Sequence, residues 1–354
     1  MHGRRGAGSP SITINRLPLR WLLIGVLVVA GAALLGVMVG PVSIAPHRVV
    51  LEIIDHIPGV DVDSGLSRAQ AAIVWDIRLP RVLLGLLVGA MLSIAGGAYQ
   101  GAFRNPLADP WLLGVAAGAG LGATIAIVGG ASTTALGPMQ AAAFLGAIGA
   151  VALTFALGAS AGGSRSTASL VLSGVAVASF LTAIQTYIQQ RNADEIREVY
   201  SWILGRLSGA SWSDVGVLAP YVIVTSAMLL ACRRALDVLA VGDDEAGSLG
   251  INVNRARIIV VLAATLGTAA AVSVSGLITF VGIIVPHTVR LLVGRSYRVV
   301  LPLSLLFGAA FLTLADVIAR TLLEPAEVPI GVVTAFFGAP FFFVVLRTNR
   351  AVAP

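Results

Sequence analysis

Stretches of about twenty apolar residues alternate with short polar links from Leu19 to Leu346, and this rhythm dominates the chain. Ten such stretches can be drawn, at 19–40, 82–101, 111–130, 138–158, 168–189, 215–232, 256–275, 277–294, 300–319 and 329–346. In hydrocarbon every backbone N–H and C=O has to be satisfied inside the protein, so stretches of this composition are expected to be helices. The pattern predicts an all-α, polytopic membrane protein. It divides into a tail over 1–18, one ten-helix transmembrane domain over 19–348 and a short tail over 349–354. The tightest connection falls at Ser275-Gly276, which leaves almost no link between two spans.

Three polar segments interrupt the rhythm: 41–80, 190–213 and 233–257. In the second, Ile196, Val199, Tyr200 and Ile203 recur at helical spacing and predict a short amphipathic helix. In the third, Asp243, Asp244 and Glu245 precede a glycine at Gly250, the acid-first, glycine-last signature of a short helix over 243–249. Arg4, Arg5, Arg16 and Arg20 precede an apolar run from Trp21 that is too long for a signal peptide and lacks its cleavage site. That run is expected to be an uncleaved first span.

Arginines gather on alternate links. With the first basic flank inside, Arg104, Arg165, Arg233, Arg234, Arg255, Arg257, Arg290 and Arg295 all fall on the cytoplasmic side. Most acids, among them Glu52, Asp55, Asp194, Glu198 and Glu327, fall on the other. The distribution predicts a multi-pass protein of the bacterial cytoplasmic membrane with both termini in the cytoplasm. All five tryptophans lie near predicted span ends, where interfacial anchors are expected. Glycines spaced by four (Gly85 and Gly89; Gly114, Gly118 and Gly122) predict smooth faces for close helix packing.

Of 354 residues 57% are hydrophobic and 11% charged, which leaves little room for a soluble catalytic domain. The net charge of +6 follows from the cytoplasmic arginines and does not imply a nucleic-acid partner. Cys232 is the lone cysteine and the four histidines show no metal-ligand spacing, so no metal site or bound cofactor is expected. Asp, Glu and His are absent from the second to seventh stretches, which disfavours a secondary transporter coupled to protons or sodium. The chain contains no lysine and therefore cannot hold the lysine of a phosphate-cradling loop. Active transport would need an ATPase on another polypeptide. A passive channel is the remaining rival.

Four clusters narrow the reading. Ile77-Arg78-Leu79-Pro80-Arg81 leads into the second span; Gln100 and Arg104-Asn105-Pro106-Leu107-Ala108-Asp109-Pro110 close it. Gly276 to His287, with Arg290 one turn on, forms the third. Ala315-Asp316-Val317-Ile318-Ala319-Arg320, Glu327-Val328-Pro329-Ile330-Gly331 and Gly338-Ala339-Pro340-Phe341 form the last. In order and register over about residues 15–348, these clusters resemble the permease subunit of type II ABC importers for iron–siderophores, haem and vitamin B12, the FecCD-type family.

The resemblance implies a permease that is not itself an enzyme, paired with a second copy or close paralogue. Its other partners would be two ATPase subunits, which hold ATP and Mg, and an extracytoplasmic binding protein. A ferric siderophore is the expected cargo, with cobalamin or haem as alternatives. It further implies a cytoplasmic gate at Asn105, Leu107, Ser166 and Thr167, although Ala168 stands where a small polar residue is common. Asn105-Pro106 also reads as simple turn chemistry. Ser179, Thr182 and Thr186 share one helical face that either lines the path or bonds within the bundle. The segment 234–255 matches the family's coupling helices, with Asp243, Asp244, Glu245, Ala246, Ser248, Leu249 and Gly250 as the ATPase contact. Gly247 replaces the bulkier residue often found there. Arg78, Arg81 and Arg320 match arginines that meet acidic residues of the binding protein; local pairing with Asp76 or Asp316 is the competing account.

Overall fold

The computed structural model describes residues 17–131, 137–160 and 167–350, with the side chains of 160, 167, 168, 344, 346 and 348–350 left out. Ser166 lies outside the described residues, and of Thr167 only its place at the start of a helix is described.

In chain order the helices are α1 (Leu19–Met38), α2 (Pro46–Asp55), α3 (Arg68–Ala72), α4 (Leu79–Ala102), α5 (Val115–Val128), α6 (Pro138–Ser160) and α7 (Thr167–Arg191). They continue as α8 (Ile196–Ile203), α9 (Trp212–Ala231), α10 (Arg233–Leu239), α11 (Asp243–Ser248), α12 (Val253–Ser275), α13 (Val281–Val293), α14 (Tyr297–Thr321) and α15 (Ile330–Arg350). A π-helical stretch, Ile73–Arg78, joins α3 to α4 without a break, and a 3-10 turn, Pro110–Leu113, precedes α5. Among the described residues seven helices are long and apolar enough to cross a membrane. Three shorter apolar helices, Val115–Val128, Val281–Val293 and Ile330–Phe343, fall on the remaining predicted stretches, so ten full-length spans was too simple a count.

α4 is the hub. Nearly its whole length is buried, against α9, α12, α13 and α14. The small-residue faces make this possible. A Cβ on Gly89 would lie 2.3 Å from the Gly308 carbonyl oxygen, and one on Gly118 would lie 2.2 Å from that of Gly146. Backbones therefore touch where a larger side chain would hold them apart.

The short helices have identifiable causes. α13, at 13 residues, spans only about 20 Å. The chain covers the rest of the distance in a non-helical run from Gly276, at φ 70°, to Phe280, also at φ 70°. Non-helical backbone at this depth is tolerated only where protein covers it. Here Arg206 N–H donates to the Ser275 carbonyl at 2.9 Å, and Gly331 N–H donates to Leu204 at 3.0 Å, closing the α8 loop and the start of α15 around the run. The predicted span 277–294 thus begins four residues early. α5 is short for a similar reason. The turn at 110–113 is sunk against α6 and α7, where Thr154 donates to the Leu113 carbonyl at 3.0 Å. Four tryptophans are partly or more exposed, and Trp75 stacks on His56 and approaches Trp212. Trp202 departs from the interfacial expectation and is buried under Gly276.

Candidate functional site: path, gate and coupling element

At the arginine-rich end, α10 and α11 form a bracket whose sequence explains its shape. The start of α11 carries three acids, favourable beside unsatisfied N–H groups. Its end closes as a Schellman turn: Ile251 N–H reaches the Ala246 carbonyl at 3.1 Å and Gly250 sits at φ 81°. The helix over 243–248 is one residue shorter than the sequence predicts. Ala246 faces inward and is fully buried, whereas Asp244, Glu245, Ser248, Leu249 and Gly250 are exposed.

The bracket is tied to the ends of long helices. Asp237 accepts from Tyr297 N–H at 2.5 Å and from Ser296 Oγ at 2.9 Å, capping α14 from a different element. Arg257, on α12, donates to the Ala102 carbonyl at the end of α4 at 2.9 Å and to Asp243 at 3.1 Å. Arg104 approaches the same carboxylate at 3.4 Å. Leu236 packs where Gly101 lacks a side chain. The bracket is thus joined to α12 and, through Arg257, to the end of α4 from Asp243, and to α14 from Asp237.

Asn105 performs the turn chemistry its proline neighbour demands: its Oδ1 accepts from Leu107 N–H at 2.9 Å. Leu107 then lines a groove of about 220 Å³ with Asp109, Trp111, Thr279, Phe280 and Ile283. Phe280 is the residue that motif reading passed over. It holds a left-handed backbone, costly for a bulky side chain, and its ring occupies the space where Gly338 has no Cβ. Gly276, at a connection too tight for two full spans, was the available signal. Ser179, Thr182 and Thr186 lie on the exposed face of α7, while Gln185, about a quarter-turn round the helix, is buried and donates to Thr124 at 3.1 Å. Thr186 also bonds its own helix at the Thr182 carbonyl.

Asp109 sits in the link between α4 and α5 with its carboxylate against Gly282 and one hydrogen bond, from Trp111 N–H at 3.0 Å. Burial pushes its carboxyl up to about 6. Folding therefore takes up a proton between pH 3.8 and about 6, and stability is expected to fall as pH rises through that window and then level off. The change is at most about 3 kcal/mol. Asp109→Asn keeps the acceptor and should flatten the pH profile of thermal unfolding; an unchanged profile would remove Asp109 as its source.

At the opposite end the three arginines are buried, not free. Arg81 bridges two carboxylates: Nη2 to Asp316 at 2.9 Å, and Nη1 to Glu327 at 2.7 Å. Arg320 donates to the Gly36 carbonyl at 2.6 Å and lies 3.7 Å from Asp316. Arg78 makes no pair with Asp76; it donates to the carbonyls of Val37, Met38 and Val42, gathering the end of α1. A receptor carboxylate could reach Arg81 only by displacing Asp316 or Glu327, so this geometry favours local pairing over exposed forks for docking.

This arrangement has known counterparts. The model of the FecCD transport family matches residues 26–348. The chain belongs to that family. A cobalamin import system permease protein, BtuC, from Halobacterium salinarum is 46% identical over 81% of this chain and 76% of its own length. A hemin transport system permease protein, HmuU, from Yersinia pestis is 39% identical over 78% of this chain and 84% of its own. A solved structure of a metal-chelate type ABC transporter in an inward-facing conformation superposes with a TM-score of 0.81 at 29% identity, covering 94% of this chain and all of that one. The chain is thus an ABC-importer permease rather than an enzyme, and ATP hydrolysis belongs to a separate subunit.

Proposed function

We propose that this chain forms half of a translocation path for a metal chelate, a ferric siderophore in the primary reading. It would pair with a second copy or close paralogue, receive cargo from an extracytoplasmic binding protein and be driven by two ATPase subunits. The observation that carries this is the bracket of α10 and α11: an exposed docking face with Leu249 outward, tied rigidly to three long helices. A switch in partner affinity between two states is all that coupling requires. In this reading the exposed hydroxyl face of α7 lines the path and the Leu107–Phe280 groove forms the gate. Cobalamin is the second reading, favoured by the 46% identity to a permease named for cobalamin import. Binding of the cognate receptor to a panel of ferric siderophores, cobalamin and haem separates these; a receptor that binds none of them sinks the chelate reading.

Ala246→Pro tests the bracket. An interior proline costs a helix about 3 kcal/mol, and here it also disturbs a buried position. Membrane insertion should survive while ATPase association and uptake fall together. Full association and uptake would show that α11 is not the coupling element. Leu107→Trp tests the groove: transport should drop severalfold with basal ATP hydrolysis near normal, and undiminished transport would place the gate elsewhere.

A further inference from the structure

Beside the bracket lies a cavity of about 710 Å³ that none of the roles above uses, lined among others by Gln100, Arg104, His287, Arg290, Arg295 and Phe341. Its size is that of a ligand site. Its charge is unbalanced. Arg290 reaches in from α13 with Nη2 bonded to Gln100 Oε1, and Gln100 is itself fixed by donating to the Gly282 carbonyl at 2.9 Å. The other terminus of that guanidinium, Nη1, is buried with no hydrogen-bond partner among the described residues. Arg295 stands exposed at the rim with no carboxylate partner among the described residues. Two acids of the bracket are already paired: Asp243 with Arg104 and Arg257, Asp237 with Arg298 and the start of α14.

A buried guanidinium donor without a partner is costly and calls for an anion. One wall of the cavity says which kind. Leu291, 71% exposed, continues from the basic rim together with Phe341 and Val345. A basic pocket between helices, flanked by apolar surface at the arginine-rich end, fits an amphiphile with an anionic head.

We propose that this cavity binds the headgroup of an anionic phospholipid, its phosphate seated on Arg290 and Arg295 and an acyl chain along Leu291 and Phe341. Such a lipid would tie α13 and α15 to the neighbourhood of the coupling bracket, since Ala240 also borders the cavity. The inference rests on membrane residence and on this geometry, not on the identity of the cargo.

The test places the full chain in nanodiscs of phosphatidylglycerol or phosphatidylcholine and reads thermal stability, with retained lipid counted by native mass spectrometry. Phosphatidylglycerol should stabilise the parent and be retained preferentially. Each of Arg290→Gln and Arg295→Gln should weaken retention roughly fivefold, and Arg234→Gln, at the same end but outside the cavity, should not. Because Arg295 is exposed, its variant keeps the test decisive if Arg290→Gln folds poorly. No preference for phosphatidylglycerol overturns the proposal. So does equal stabilisation of the phosphatidylcholine sample by inorganic phosphate or citrate, which would mark a small-anion site.

Discussion

Arg81→Glu is expected to abolish accumulation of folded protein rather than merely weaken an external contact. The substitution would set three carboxylates together where Arg81 now satisfies both Asp316 and Glu327. Removing one partner of a buried pair typically costs about 3–5 kcal/mol, and reversing it costs more. The network also fastens the loop before α15 to α4, so its loss should free that end of the bundle. Arg81→Met with Asp316→Asn gives the sharper comparison. If the pairing is structural, the double variant should recover part of the folded yield lost by Arg81→Glu, read by size-exclusion profile in detergent. A well-folded Arg81→Glu protein that had lost only receptor binding would restore the docking role implied by the family.

Gly96→Val should be nearly as damaging, by a different route. A Cβ at this position would lie 2.1 Å from the Gly282 carbonyl oxygen, backbone that cannot step aside as a side chain could. α4 and α13 would have to separate, and overpacking of this kind costs about 1–3 kcal/mol or more. The shift would also disturb the run from Gly276 to Phe280 and the groove beside Leu107, so transport should fail even in whatever fraction folds. Gly149→Ala on α6, where nothing lies within 4 Å of an added Cβ, is the matched control and should not destabilise; helix propensity adds at most about 1 kcal/mol in its favour. Equal melting temperatures for Gly96→Val and the parent would contradict the close crossing.

Local patterns carried much of this architecture. Acids followed by glycine placed α11 to within one residue, and helical spacing of apolar residues placed α8 over Ile196–Ile203. Hydropathy located the long helices but not the broken ones. A window of apolar residues reads the same whether or not the backbone is helical, so residues 277–280 were absorbed into a span. The arginine network was illegible for another reason. Arg81 and Asp316 are 235 positions apart, and no periodicity links them. Proximity in sequence offered Asp316 as a local partner for Arg320, which the structure contains, but nothing local pointed to Asp316 and Glu327 as the partners of Arg81. Phe280 escaped because strain is a property of dihedral angles, not of residue type.

The central claim is that this chain passes cargo under the control of an ATPase bound at α10 and α11. Its most direct test reconstitutes the chain with its co-purifying ATPase and receptor in sealed vesicles and follows entry of labelled chelate. The account predicts uptake that requires both receptor and ATP, is lost in Ala246→Pro and is indifferent to an imposed proton gradient. Uptake driven by that gradient without the ATPase would contradict it.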